Sequence, residues 1–211
     1  MGNLEYKVGD WVEILSADEI LRTLDDNSSL EGMPFMPEML QFCGQRFQVY
    51  KSAHKGCDTA NPVRSRWFDN AVHLRTRCDG QGHDGCQAGC LLYWKTAWVK
   101  RAEGPLAHSD ARPPVAIAEA ARARVQRATI DRHESGGPVY RCQLTQLPLA
   151  SRDLKWWDPR QYALDFVSGN VGFWGLVRGG IYATFSNVSN VHPAIGRPVT
   201  IHPMLAGGSG E

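Results

Sequence analysis

The sequence predicts an α+β fold in two parts: a small β barrel with short helices inserted over residues 1–103, and a mainly helical part over 115–211. Three observations lead there. Several segments of the first hundred residues alternate apolar and polar positions with the period of a strand. Helix-start signals lie between those segments. A stretch closed by two prolines, "EGPLAHSDARPP", then precedes a run rich in Ala and Arg with few breakers, which places a linker at 104–114.

The elements follow in order. "KVGDWVEIL" sets Val8, Val12 and Ile14 in strand alternation behind a Gly9-Asp10 turn. Ser16 followed by Glu19 is a capping box, so "ADEILRTL" predicts a short helix that turns Ile20, Leu21 and Leu24 inward. Pro37 suits the first turn of another short helix carrying Met39 and Leu40. "RFQVYKS", "NAVHLRT" and "AWVKR" read as strands, and "AHKGCDTANPVRS" as irregular chain. Beyond the linker, "VAIAEAARARVQRATI" reads as a helix and "GGPVYRCQLTQL" as a turn and strand. Asp158, Pro159 and Gly169 supply the cap, first turn and stop of a helix over "DPRQYALDFVSGN". "FWGLVRGGIYATF" continues as a helix.

Bulk properties narrow the class. A net charge of +1 on 211 residues lacks the basic excess of a nucleic-acid or membrane-surface binder. Arg122, Arg124 and Arg127 spread around their helix and form no footprint for nucleic acid. The apolar stretch "VGFWGLVRGGIYATF" is broken by Arg178 and four glycines, too short and interrupted to span a bilayer. The start carries no signal peptide, so the expected location is the cytoplasm, where six cysteines serve as thiols or ligands and not as disulfides.

Chemistry concentrates in "RCDGQGHDGCQAGC", residues 77–90. Cys78 ends a strand, and glycines 80, 82 and 85 permit a close return of the backbone. If a helix begins at Asp84, then His83, Cys86 and Cys90, spaced by three and four, share one helical face. Thiolates and an imidazole suit zinc, although zinc ribbons offer two close cysteine pairs and only Cys86 and Cys90 form one here. Thiolates from scattered loops in glycine-rich surroundings suit an iron–sulfur cluster, which ranks first, with zinc second. Cys78, Cys86 and Cys90 are the expected core ligands, with His83 or Cys57 as the fourth and Cys43 as another distant contributor. Five thiols and a histidine exceed one tetrahedral site, so some of them have other roles.

Three resemblances bear on these residues. The order of strands from "vGDwV" to "AWVKR" looks like an SH3-like barrel over about residues 5–102, which implies a fold and no activity. "PFMPEMLQFCG" together with "RCDGQGHDGCQAGC" resembles a bacterial family of cysteine-rich proteins without an established activity. "CDGQGH" resembles the Cys-Asp-Gly-Ser-His motif of a small iron–sulfur family whose cluster takes three cysteines and one histidine. That resemblance implies Cys78 and His83 as ligands, although one residue is inserted before the histidine and the upstream C-x-C is missing.

The remaining candidates read more plainly. Cys142 reads as a small buried strand residue, His73 as a strand residue facing solvent or a loop, and His54 as part of a solvated basic turn. Trp156-Trp157 reads as packing. The expected function is that of a metal-binding protein, iron–sulfur first, in a redox or biosynthetic step with a partner protein of that step. The alternatives are a zinc-stabilised, non-enzymatic protein-interaction module, and a thiol enzyme built on Cys78, His83 and Asp79 or Asp84.

Overall fold

The computed structural model describes residues 4–58, 64–105, 119–134, 137–155 and 157–190, and only the backbone of residues 64 and 182–190. The chain divides into two compact units after Gly172. Expectations for the linker from residue 106, for the helix start at 115–118, for Trp156 and for the tail beyond residue 190 lie outside the described residues.

In the first unit, strand β1 (Trp11–Ile14) is followed by helix α1 (Ala17–Leu21). The capping box is formed: the Ser16 backbone N–H donates to Glu19 Oε2 at 2.9 Å, and the Glu19 N–H donates to Ser16 Oγ at 3.3 Å. Strands β2 (Ser29–Leu30) and β3 (Met33–Pro34) form a tight hairpin. A 3₁₀ helix, Pro37–Phe42, starts at its proline and buries Met39 and Leu40. Six strands follow: β4 (Arg46–Gln48), β5 (Lys51–Ser52), β6 (Lys55–Asp58), β7 (Arg64–Trp67), β8 (Ala71–His73) and β9 (Trp94–Lys95). After β10 (Val99–Arg101) come α2 (Glu119–Ala128), β11 (Ile130–Glu134), β12 (Gly137–Tyr140), α3 (Leu147–Ala150), β13 (Arg152–Asp153) and α4 (Pro159–Val167). Helix α5 (Phe173–Asn190) belongs to the second unit, as the sequence predicts for its helical start.

The strands assort into small antiparallel sheets, β10-β1-β4, β5-β8-β9 and β6-β7-β13, with the ribbons β2-β3 and β11-β12. Among the described residues no barrel closes, which corrects the expectation of an SH3-like barrel to an α+β unit of short sheets. The strands run only two to five residues, and the inserted helices and the Cys-rich loop stand where a continuous ladder would pass. Two further corrections concern long-range pairing. "KGCD" is not irregular chain but β6, paired with β7 from Lys55↔Trp67 to Asp58↔Arg64. The strand at "GPVY" has a partner in β11, so the part after the linker mixes helices with strands.

One core serves the whole unit. Phe35 meets Trp98 edge-on at 5.4 Å and Trp94 at 6.3 Å. Both indoles find partners, Trp94 Nε1 donating to Thr76 Oγ1 at 2.8 Å and Trp98 Nε1 to Thr23 Oγ1 at 3.1 Å. Ala121 and Val125 of α2 and Leu147 and Ala150 of α3 join the same cluster, so chain on either side of the linker shares it. Buried Arg66 on β7 donates to the carbonyls of Pro148 and Ser151 and pairs with Asp153, joining β7 to α3 and β13. Helix α4 is capped by Asp158, started by Pro159 and stopped by Gly169 at φ +78°, as its sequence signals require. Among the described residues no helix is long and apolar enough to cross a membrane.

Candidate metal centre

The Cys-rich loop is closed at its base by a short ladder. Arg77 bridges Leu91, the Cys78 N–H donates to the Cys90 carbonyl at 2.9 Å, and the Leu92 N–H donates to the Thr76 carbonyl at 3.0 Å. Inside, the chain makes a single 3₁₀ turn, Gln81–His83, flanked by left-handed Gly80 at φ +73°, Asp84 at +54° and Gly85 at +71°. A Cβ on Gly80 would lie 2.1 Å from the Cys86 carbonyl oxygen, so only glycine permits this return. The helix expected from Asp84 onward does not form. Left-handed residues at 84, 85 and 89 interrupt it, and His83, Cys86 and Cys90 share no helical face.

The ladder and the turn aim two side chains at the 3₁₀ helix Pro37–Phe42. With Met39 and Leu40 anchored in the core, its first turn presents Glu38, whose side chain is wholly buried. His83 Nδ1 lies 2.6 Å from Glu38 Oε1, the Gly82 N–H donates to the same oxygen at 3.0 Å, and the Cys78 thiol approaches it at 3.6 Å. The other ring nitrogen, His83 Nε2, faces the Arg141 carbonyl at 3.1 Å. One ligand atom from each of Glu38, Cys78 and His83 lies within 4.8 Å of the other two. The second carboxylate oxygen, Glu38 Oε2, is buried without a hydrogen bond. Gly82 makes room for the carboxylate, since a Cβ there would stand 3.2 Å from both oxygens and 3.0 Å from Pro37 Cγ.

Electrostatics holds the pair ionised. Burial pushes the Glu38 carboxyl up, but the His83 hydrogen bond and charge outweigh it and keep it below its ordinary value. Burial likewise pushes His83 down, while hydrogen bonds with Cys78 and Glu38 carry it up to about 10. The result is an imidazolium–carboxylate pair sealed under the loop.

This arrangement bears on the chemistries expected of the loop. A thiol hydrolase needs its cysteine on one ring nitrogen and the orienting acid on the other. Here Nδ1 lies on Glu38, Nε2 faces a carbonyl, and Cys78 hydrogen-bonds the same imidazole, so the acid and the thiol share one side of the ring. Three different donors converging on one point, with the far ring nitrogen on a backbone carbonyl, is the arrangement of a metal-ligating histidine. The described residues therefore hold a possible Glu/Cys/His metal-binding triad in a chain with six free thiols.

The other expected ligands distribute unevenly. Cys86 is exposed and Cys90 half-buried, both near Cys78 on the loop. Burial raises the Cys90 thiol, followed by the charges of Cys142, Cys78 and Cys86. Cys142 is half-buried in the turn just past β12, not within a strand, and its N–H donates to Thr145 Oγ1 at 3.0 Å. Cys43 closes the 3₁₀ helix, where burial pushes its thiol up to about 12 and disfavours the thiolate a metal needs. Cys57 is exposed on β6 opposite Ser65. Neither joins the triad.

Two histidines differ from their expected settings. His73 is packed on the Tyr93 ring at 4.3 Å, with Nδ1 2.8 Å from the Leu92 carbonyl, and burial lowers its pKa. His54 is buried, its Nδ1 3.2 Å from Ser52 Oγ and its Nε2 3.3 Å from Asp165 Oδ1. That row of side chains has the composition of a serine triad, but the adjoining cavity of about 40 Å³ has room for water and not for a substrate.

Glu38 is the candidate ligand that reading for cysteine and histidine passes over. Its signal is present: it is the one charge in "GMPFMPEMLQF". A lone acid within an apolar run is buried with its neighbours and then needs a partner. Comparison with family models, with curated proteins and with solved structures gives no match for this chain.

Proposed function

We propose that this chain is a metal-binding protein in which Glu38, Cys78 and His83 hold one divalent transition-metal ion, zinc foremost, that fastens the Cys-rich loop to the core. The observation that carries the reading is the convergence of three unlike donors within 4.8 Å around a buried carboxylate with one unpartnered oxygen. Bonds of about 2.0–2.3 Å place two ligands of one ion no more than about 4.6 Å apart, so a small contraction suffices. The mixed oxygen, nitrogen and sulfur set suits a borderline ion better than a cluster, whose ligands are mainly thiolates. Binding displaces the protons on His83 Nδ1 and on the Cys78 thiol, while Nε2–H stays on the Arg141 carbonyl. The ion then neutralises the carboxylate and thiolate that would otherwise repel in a sealed site.

The second reading is an iron–sulfur protein in a redox or biosynthetic step. The observation in its favour is the gathering of further thiols around Cys90. One measurement tests both: elemental analysis and an absorption spectrum on anaerobically purified protein. About one zinc per chain, lost in Glu38→Gln, supports the triad. Iron with acid-labile sulfide and a brown colour supports the cluster. Metal-free protein that takes up neither on reconstitution refutes both.

A further inference from the structure

We propose that Cys78, Cys86, Cys90 and Cys142 form a four-thiolate site for a thiophilic metal group, with Cys142 as the ligand contributed from beyond the linker. The site rests on the metal-binding reading through Cys78, which it shares with the triad, and extends it to three residues the triad does not include.

The backbone brings these cysteines together. In the ladder at the base of the loop, Cys78 stands opposite Cys90, so their side chains leave the same face as the neighbouring pair Thr76 and Leu92. That face points inward, for Thr76 and Leu92 are buried. Opposed residues of an antiparallel ladder have Cβ atoms about 4.5–5.5 Å apart. Cys86 is returned toward them by the left-handed turn: its N–H donates to the His83 carbonyl at 3.2 Å, and its own carbonyl covers Gly80, two residues past Cys78.

Cys142 is held in place by anchors on both sides. The preceding carbonyl, of Arg141, receives His83 Nε2 at 3.1 Å. The following side chain, of Gln143, brackets Tyr93, accepting from its N–H at 2.8 Å and donating to its carbonyl at 2.8 Å. Tyr93 lies three residues past Cys90. The turn after β12 is thereby laid against the loop, and Cys142 and Cys78 both pack on the central cluster.

Thiolates drawn to one point repel, and a bound cation removes that repulsion and draws off their protons together. The sulfurs are not gathered as tightly as the donors of the triad. A single zinc ion therefore requires rotation of the cysteines about χ1, whereas an iron–sulfur cluster spans several ångströms and accepts a wider set. Both are thiolate chemistry, and the test separates them.

The experiment uses the full chain and the variants Cys142→Ser, Cys86→Ser, Glu38→Gln and Cys43→Ser. Each is reconstituted anaerobically with zinc, with cobalt(II), and with iron plus sulfide. Metal and sulfide per chain, affinity against a chromophoric chelator, and the sulfur-to-cobalt charge-transfer band are read, with circular dichroism to confirm folding. The expected result is that Cys142→Ser and Cys86→Ser each weaken binding more than about 100-fold, beyond what a supporting residue costs. The cobalt band falls by about a quarter in each, and Cys43→Ser matches the parent. Zinc or iron with sulfide in the parent decides which group the site holds. Cys142→Ser with parental affinity and band overturns the inference. If only Glu38→Gln loses metal, the triad stands and the four-thiolate site is refuted. If only the cysteine variants lose it, the four-thiolate site stands and the triad reading fails.

Discussion

Replacing Glu38 with glutamine in chelator-treated protein isolates the buried pair from any metal. The change keeps the shape and one acceptor oxygen for the Gly82 N–H, and removes only the charge. The ordinary histidine value is 6.5, and Glu38 and Cys78 help carry His83 to about 10. Each unit of difference is worth about 1.4 kcal/mol, so at pH 7 the realised part, from 7 to 10, amounts to about 4 kcal/mol for Cys78, Glu38 and the Arg141 carbonyl together, an upper bound for Glu38 alone. This agrees with the roughly 3–5 kcal/mol lost when one member of a buried ion pair is removed. The two partners report the same interaction, so their shifts are not added. Glutamine still accepts a hydrogen bond worth about 1 kcal/mol, which leaves an expected loss of at most about 3 kcal/mol. For a unit of this size that lowers Tm by at most about 6–12 °C.

The pH dependence has a definite sign. The folded pKa of His83 is raised, so its contribution is complete below the ordinary 6.5 and disappears as pH rises through about 10. The Glu38 carboxyl is held below its ordinary 4.5, so the same contribution persists above that value and fades as pH falls through the lowered one. Thermal or urea unfolding of both proteins from pH 5 to 11 measures the gap. It should be widest near pH 5–6.5 and nearly closed at pH 11. A loss below about 1 kcal/mol, or a gap that does not change across that range, refutes the ionised pair and the electrostatic account of the site.

Two further tests examine the frame around the site. Gly80→Ala places a Cβ 2.1 Å from the Cys86 carbonyl, backbone against backbone, while Gly85→Ala meets nothing within 4 Å. Gly85→Ala should cost about 1 kcal/mol for its left-handed conformation and keep metal; Gly80→Ala should cost several times more and lose it, with equal melting curves counting against the described turn. Asp165, buried on α4 against Lys55 and 3.3 Å from His54, is pushed up by burial and held below 3.8 by those two contacts. Its stabilisation is therefore present above pH 3.8 and lost as pH falls through the lowered value. Asp165→Asn should cost about 2–3 kcal/mol at pH 7 and almost nothing near pH 2, a difference that urea titrations at the two pH values resolve.

What could be read from the sequence was what depends on a few neighbouring residues. The box of Ser16 and Glu19, the start at Pro37, and the Asp158-Pro159 to Gly169 helix each satisfy orphan backbone groups locally, and each is formed. The helix expected from Asp84 failed on a local rule that the spacing of His83, Cys86 and Cys90 outweighed in the reading. Gly85 and Gly89 flank that stretch, and two glycines in five residues oppose a helix more strongly than a three-four repeat supports one. The hairpin of β6 and β7 depends on packing elsewhere: a Cβ on Gly56 would meet the Tyr93 hydroxyl and the Phe68 ring within 3 Å. The candidate triad was legible from sequence in Cys78 and His83 and not in Glu38. Glycines 80, 82 and 85 shape the loop from within, but which donors meet it depends on where distant chain lands. Glu38 arrives from 40 residues before Cys78, and Arg141, next to Cys142, contacts His83 from 58 residues away. Cys43 and Cys57 lie nearer in sequence than Cys142, yet the 3₁₀ helix and β6 carry them elsewhere. Residue type therefore points to the chemistry of such a site, and the long-range hydrogen bonds of Arg141 and Gln143 show how distant chain is laid against the loop.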